Sequence, residues 1–233
     1  MHLAAPQAGK MIKLSEFGIT KKITNKLARL SRKTKAQSLT EFAIALPVLF
    51  LLLSGVIEFG FALNYYLSLL DATREAARFY SNGDPFLRDS SDNITGDNMQ
   101  FYGDTADMVR ANLDPSIIIG NESYAGRKIT LDSAADDVIV TVYTKDDSDV
   151  VRYPTSGPYQ VYGHATTMFT TTDIQNDFLS NSPNAGILVV EVHYNYHQVM
   201  KLPWLTPFVP DPFVLTAYTM MPVVAAEPVE TGP

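Results

Sequence analysis

Apolar and polar positions along the chain fall into three regimes. From Phe42 to Ile57 no residue is charged, and as far as Leu70 the only acid is Glu58. About 20 residues rising 1.5 Å each cross a hydrocarbon core of roughly 30 Å, so Phe42 to about Phe61 has the length of a membrane span. A span beginning at Phe42 leaves Glu41 at one interface and Glu58 near the other, so neither acid lies at the bilayer centre. Helical spacing then continues. Leu63, Leu67 and Leu70 recur, followed by Ala72, Ala76, Ala77 and Phe79, while Arg74 and Arg78 share another face. The stretch "SNGDP" stops the pattern with Asn, Gly and Pro. One helix is therefore expected over residues 37–82, transmembrane over about 42–62 and amphipathic beyond. Pro47 removes one backbone donor, which predicts a mild kink.

Past residue 83 the pattern changes. "FLRDSSDNITGDNMQFYGD" is polar and reads as a loop; "DTADMVRANLD" reads as a short helix, with Asp104 a cap and Pro115 after its end. The period then becomes two. "DDVIVTVYTK" puts Val138, Val140 and Val142 on one face. "YQVYGHATTMF" does the same for Tyr159, Val161, Ala165 and Phe169. "ILVVEVHYNYHQV" sets Leu188, Val190, Val192, Tyr194 and Tyr196 against Glu191, His193, Asn195 and His197. "FVLTAYTMM" aligns Phe213, Leu215, Ala217 and Met221. Four alternating runs joined by polar loops predict an antiparallel sheet. The fold class expected is α+β, a long N-terminal helix packed on an antiparallel β-sheet. The domain organisation expected is a leader (1–36), the helix (37–82), a body (83–224) and a disordered tail (225–233).

Charge divides the same way. Residues 1–36 hold nine of the 18 Lys/Arg and one of the 25 Asp/Glu, a surplus of eight positive charges. The remainder has nine basic against 24 acidic residues, a deficit of fifteen. A basic flank directly before a span keeps that side cytoplasmic, so the N-terminus is expected inside and the acidic body outside, single-pass in a cytoplasmic membrane. A cleaved secretory signal fits less well, because its apolar core runs 7–15 residues and ends at an A-x-A-like site. The leader also carries Ile19, Ile23, Leu27 and Leu30 at helical spacing, which would let it lie on anionic lipid; a purely topogenic charge cluster is the alternative. With no cysteine there is no disulfide, thiol nucleophile or Cys-bound metal.

The chemistry-bearing motifs are sparse. His193 and His197 stand four apart, but on a strand they lie about 13 Å from one another, too far to chelate one ion, so the face they share reads as solvated. "DSSDNITGD" lacks EF-hand spacing and its closing Glu. Asn93 and Asn121 fit the glycosylation sequon. No nucleophile elbow, P-loop or dinucleotide fingerprint occurs, and an acidic body disfavours nucleic acid. The expectation is a non-enzyme without cofactor or metal.

One further stretch ties these features together. "AQSLTEFAIALPVLFLLLSGVIEFGFAL" followed by "DATREAARFY" resembles the TadE-like proteins, pilin-related components of the tight-adherence (Flp) pilus machinery of bacteria. "ILVVEVHYNYHQVMKLPWLTPFVPDPFVLTAYTMMP" resembles that family's closing pattern of a strand, a proline-bearing loop and a last strand. The resemblance implies a pilin-like plan and a prepilin peptidase cut between Ala36 and Gln37. Alanine stands at 36, where glycine is usual. It also implies helix-assembly roles for Glu41, Phe42, Pro47 and Glu58. The partners implied are the peptidase, other pilin-like subunits, the assembly machinery and the lipid bilayer. A cut there would leave an α-ammonium at Gln37, mostly charged at neutral pH, one helical turn from Glu41. An acid near a helix N-terminus also complements its dipole. Glu41 is thus either an assembly charge or a solvated interfacial acid, and Glu58 either a family position or an acid reaching toward the outer headgroups. The function expected is a minor pilin or pseudopilin; an uncleaved membrane-anchored cell-surface domain, binding or enzymatic, with no pilus role and a bulk pilus subunit are the alternatives.

Overall fold

A computed structural model of the chain describes residues 16–120, 128–146, 149–179 and 184–228. It divides into two units, one ending at Gly55 and one beginning at Val56. Helix α1 runs Glu16–Tyr80. It begins earlier than the hydropathy predicts, because Lys, Arg, Leu and Ala in the leader are all good helix formers. Pro47 lies inside α1 without ending it. Among the described residues, one helical stretch, Gln37–Tyr80, is long and apolar enough to cross a membrane. In the first unit Leu39, Phe42, Ile44, Val48, Leu49 and Phe50 are all exposed, as a lipid-facing segment requires.

The second unit is α+β. After α1 come β1 (Phe86–Arg88) and β2 (Ile94–Asp97), an antiparallel hairpin where the sequence predicts a loop. Helix α2 follows, Met99–Leu113. Asn98 caps it by accepting the Phe101 N–H at 3.3 Å, so α2 starts ahead of the predicted cap, Asp104, which sits exposed within the helix. The main sheet comprises β3 (Asp137–Asp146), β4 (Asp149–Tyr153), β5 (Tyr159–Gln160), β6 (Asn184–Tyr196) and β7 (Phe213–Pro222). Its order is β4-β3-β6-β7, with β5 also pairing β3, and every pairing is antiparallel. The register sets Val190 of β6 between Val140 of β3 and Thr219 of β7.

Alternation along these strands builds two layers. Val138, Val140, Val142, Leu188, Val190, Val192 and Ala217 form one buried cluster with Leu69, Ala72, Ala76 and Ala77 of α1 and Met108 and Val109 of α2. The buried stripe of α1 thus uses Leu69 and small alanines, while Leu63, Leu67 and Phe79, predicted on that stripe, are exposed. Alanine lets the helix axis approach the sheet closely. It also brings Thr73 to Thr219: the Thr73 hydroxyl, which donates to the Leu70 carbonyl at 2.8 Å, accepts from Thr219 at 2.9 Å.

The opposite sheet face, predicted to be solvated, is covered. Tyr143, Val189, Phe169, Ile174 and Leu179 form a second cluster beneath the segment 161–179. That segment is mostly irregular, with a capped turn at Thr171–Asp173 running into a π-helical turn at Ile174–Phe178. The predicted strand over 159–169 shrinks to β5 because Gly163 adopts φ 79°, and because two buried acids hold the loop that follows. Asp137 accepts the N–H groups of Tyr162, His164 and Ala165 at 3.0, 2.8 and 3.2 Å. Glu191 accepts the Met168 N–H at 2.8 Å and the Thr167 hydroxyl. His193, on the same face, meets Glu191 and Thr216 at 3.3 Å each.

The expected tail begins in packed structure. Val224–Ala226 is a 3₁₀ turn, Ala226 is buried, and the Ala225 carbonyl accepts from Arg88 at 2.8 Å. Residues 229–233, the sequon at Asn121 and the first 15 leader residues lie outside the described residues. Gly186 makes the turn's approach possible: a Cβ there would meet the Val223 oxygen and the Ala226 carbonyl carbon at 2.5 Å each. Gly186→Ala is therefore expected to displace 223–226 and destabilise the body by about 2 kcal/mol, the usual scale of overpacking against backbone. Urea unfolding of the membrane-extracted protein measures it; an unchanged midpoint would contradict the close approach.

Candidate functional site

The sequence singles out two acids on α1, and their surroundings differ. Glu41 lies in the first unit and is exposed, accepting a hydrogen bond from the Gln37 side-chain amide at 3.0 Å. Phe42 beside it is exposed as well. Helix α1 passes through Ala36 and Gln37 without a break.

Glu58, in the second unit, is only 3% exposed. It does not reach toward the outer headgroups as a solvated acid would. Its Oε1 accepts the Tyr196 hydroxyl at 2.6 Å and the Val199 N–H at 2.8 Å, and its Oε2 accepts the Met200 N–H at 3.0 Å. One carboxylate thus collects three donors from the end of β6 and the loop after it, and such bonds to a charged acceptor are the strong kind. The local sequence explains the supply. The β6 ladder ends at Tyr196, so the N–H groups of Val199 and Met200 have no strand partner and need an acceptor elsewhere. Tyr196, fully buried, points its hydroxyl into the same place.

Aromatic rings surround this contact. Tyr65, two helical turns beyond Glu58, stacks on Tyr194 at 5.9 Å and meets Tyr196 edge-on at 5.2 Å; Phe213 of β7 lies 5.1 Å from Tyr196. Burial, and then the bond to Glu58, hold the Tyr196 phenol protonated well above its ordinary range. Burial likewise pushes Tyr194 up to about 12 and raises Tyr102. A phenol whose folded pKa is raised gives stability that is complete below the ordinary tyrosine value near 10. That stability falls as pH rises through 10, and for Tyr194 the decline continues to about 12. Alkaline unfolding followed by tyrosinate absorbance is expected to begin near pH 10, and Tyr196→Phe to weaken that pH dependence; a flat stability profile through pH 12 would refute the assignment.

The loop after β6 is itself held by acids and turns. Asp211 accepts the Gln198 N–H at 3.2 Å and pairs with the His197 ring at 3.2 Å, while the Gln198 amide donates to the Val209 carbonyl at 2.8 Å. The two histidines, His193 and His197, therefore serve separate partners. Among the described residues no three His, Asp or Glu side chains gather as a metal site. In the "DSSDNITGD" hairpin, Asp89 accepts from Ser91, from the Asn93 backbone and from the Asn93 side chain, so its carboxylate closes the turn. A groove of about 990 Å³ borders α1, and its charged groups pair along the helix, Arg74 with Asp71 at 3.8 Å and Arg78 with Glu75 at 2.6 Å.

The Glu58 contact was beyond the reach of local pattern. Glu58 and its three donors are 138 to 142 residues apart, and only the unmatched N–H groups after a strand end hint at an acceptor. Residues 36–78, which hold Gln37, Glu41, the apolar run and Glu58, match the model of the family described as TadE-like protein. No curated protein and no solved structure matches the chain. Over residues 36–78 the chain is thus similar to the TadE-like family.

Proposed function

We propose that the chain is a minor pilin or pseudopilin of a tight-adherence (Flp) pilus, a structural component rather than a catalyst. It inserts with its basic leader in the cytoplasm, is cut by a prepilin peptidase between Ala36 and Gln37, and joins pilus assembly or initiation through the helix. The observation that carries this reading is the TadE-like match, which begins at residue 36 and includes Glu41 and Glu58. The Glu58 contact supports it physically. A carboxylate near the outer end of the span, tied to Tyr196, Val199 and Met200, couples its stretch of helix to the body. A subunit that is drawn from a membrane by its helix needs that coupling. A body of this size on one helix favours a minor component over a bulk subunit, a distinction that abundance in sheared pili measures.

The alternative reading is an uncleaved signal anchor that carries a membrane-anchored surface domain with no pilus role. N-terminal sequencing of the membrane-extracted protein, made in cells with an active prepilin peptidase, separates the two. The pilin reading predicts a chain starting at Gln37; a chain starting upstream of it overturns the processing step and leaves a membrane-anchored surface domain.

A further inference from the structure

The segment between β6 and β7, residues 197–212, carries more exposed apolar surface than a soluble loop of its length needs. Val199 and Trp204 are each 49% exposed and Phe208 is 70% exposed. Large apolar side chains left exposed in one short segment mark an interaction surface. Its position identifies the partner. Glu58 Oε1 and Oε2 hold the backbone N–H groups of Val199 and Met200 at 2.8 and 3.0 Å. Glu58 is buried by this contact, and in the sequence it falls near the end of the 42–62 stretch that has the length and hydropathy of a span. The loop that covers Glu58 therefore reaches the outer boundary of the bilayer. On α1 at the same level Val56 and Phe59 are exposed and apolar, so the loop continues a lipid-facing surface.

The geometry points to a second membrane contact, in which residues 199–209 seat in the outer interface beside the span, with Trp204 and Phe208 as anchors. The chemistry of the loop suits that layer. Tryptophan and phenylalanine favour the headgroup boundary, where an apolar body and a polar surrounding meet. Exposed backbone N–H groups are costly there, and the loop has few. Pro203, Pro207, Pro210 and Pro212 have none. The N–H groups of Leu205, Phe208 and Val209 are satisfied within the loop at 2.9, 2.9 and 3.0 Å. Lys201, exposed at φ 46°, supplies an ammonium on a long stem that can extend to lipid phosphate.

Trp204 is the sole tryptophan of the chain, so the full-length protein carries its own probe. The test uses phosphatidylcholine nanodiscs holding one copy each, with lipids brominated either high on the acyl chain or near its end. Insertion predicts blue-shifted emission, protection from iodide, and quenching by the high bromines roughly twofold or more above that by the deep ones. Phe208→Ser, which keeps the probe, should reduce the high-bromine quenching. Iodide-accessible emission with no bromine quenching at either depth would overturn the proposal. So would emission that shifts only when copies are crowded, since that outcome assigns the surface to a neighbouring protein. The pilus reading is untouched by either result, because N-terminal processing is measured separately.

Discussion

Replacing Glu58 by alanine is expected to destabilise the body by about 3 kcal/mol, or to lower its melting temperature by about 10 °C. The carboxylate satisfies three donors at 2.6 to 3.0 Å, and truncation to a methyl group takes that acceptor from all of them at once. Removing one member of a buried hydrogen-bonded set costs the desolvation of those left behind, which for bonds to a charged group is about 1.5–3 kcal/mol each before water enters. Glu58→Gln tests geometry apart from size. An amide oxygen can still accept from Tyr196, but its NH₂ would face a backbone N–H, so rescue should be partial. Tyr196→Phe removes a single donor and should cost about 1 kcal/mol, with a coupling to Glu58→Ala of about 0.5–3 kcal/mol in a double-mutant cycle. Unfolding in nanodiscs by near-ultraviolet circular dichroism reads the parent and every variant. A Glu58→Ala protein within about 0.5 kcal/mol of the parent, the range of an ordinary surface substitution, would mean the contact holds nothing.

Glu58 also shows where sequence pattern stops. The sheet was legible, because Val138–Val142, Leu188–Val192 and Leu215–Ala217 alternate strictly and one face is apolar throughout. Strand β4 was not: Asp149–Tyr153 contributes only five residues, beginning with an acid, too few to show an alternation of its own before it pairs with β3. The other sheet face was misjudged for a related reason. Glu191 and His193 look like a solvated row until the segment 161–179 folds over them, and Glu191 is then fully buried. The charge balance misleads in the same direction. A deficit of fifteen charges suggests an acidic surface, yet Asp114, Asp136, Asp137 and Glu191 are buried. Asp136 accepts the Asp132 and Asn195 N–H groups at 2.7 Å each. Asp114 accepts from Ser116 and Thr130, which hold its carboxyl down at about 2. Many of the acids in this body are loop-fastening acceptors, which is how a chain without disulfides keeps long irregular segments in place. A local pattern cannot show that, because the donors belong to distant residues.

Glu41→Leu is expected to abolish most assembly, about tenfold or more, while leaving the body's stability unchanged. The two halves of that prediction have separate causes. Glu41 is exposed, lies in the unit that ends at Gly55, and accepts from Gln37 one turn away at 3.0 Å. That bond stays within the helix, so urea unfolding of the body should not move. In the proposed pilin, processing turns Gln37 into the first residue, and its new ammonium must enter an apolar helix bundle. A carboxylate one turn along, on the same chain or a neighbour, keeps that charge paired; an unpaired one desolvated among helices costs several kcal/mol. Glu41→Gln sharpens the test, since the amide can still hydrogen-bond the Gln37 side chain yet carries no charge. If assembly needs the charge, both variants fail alike; if Glu41 is only a solvated interfacial acid, both assemble as the parent does. Counting the protein in sheared surface fractions, with membrane levels as the control, distinguishes these outcomes. Equal incorporation of all three forms would remove the assembly role from Glu41 and leave Glu58 as the one acid of the two with a structural purpose.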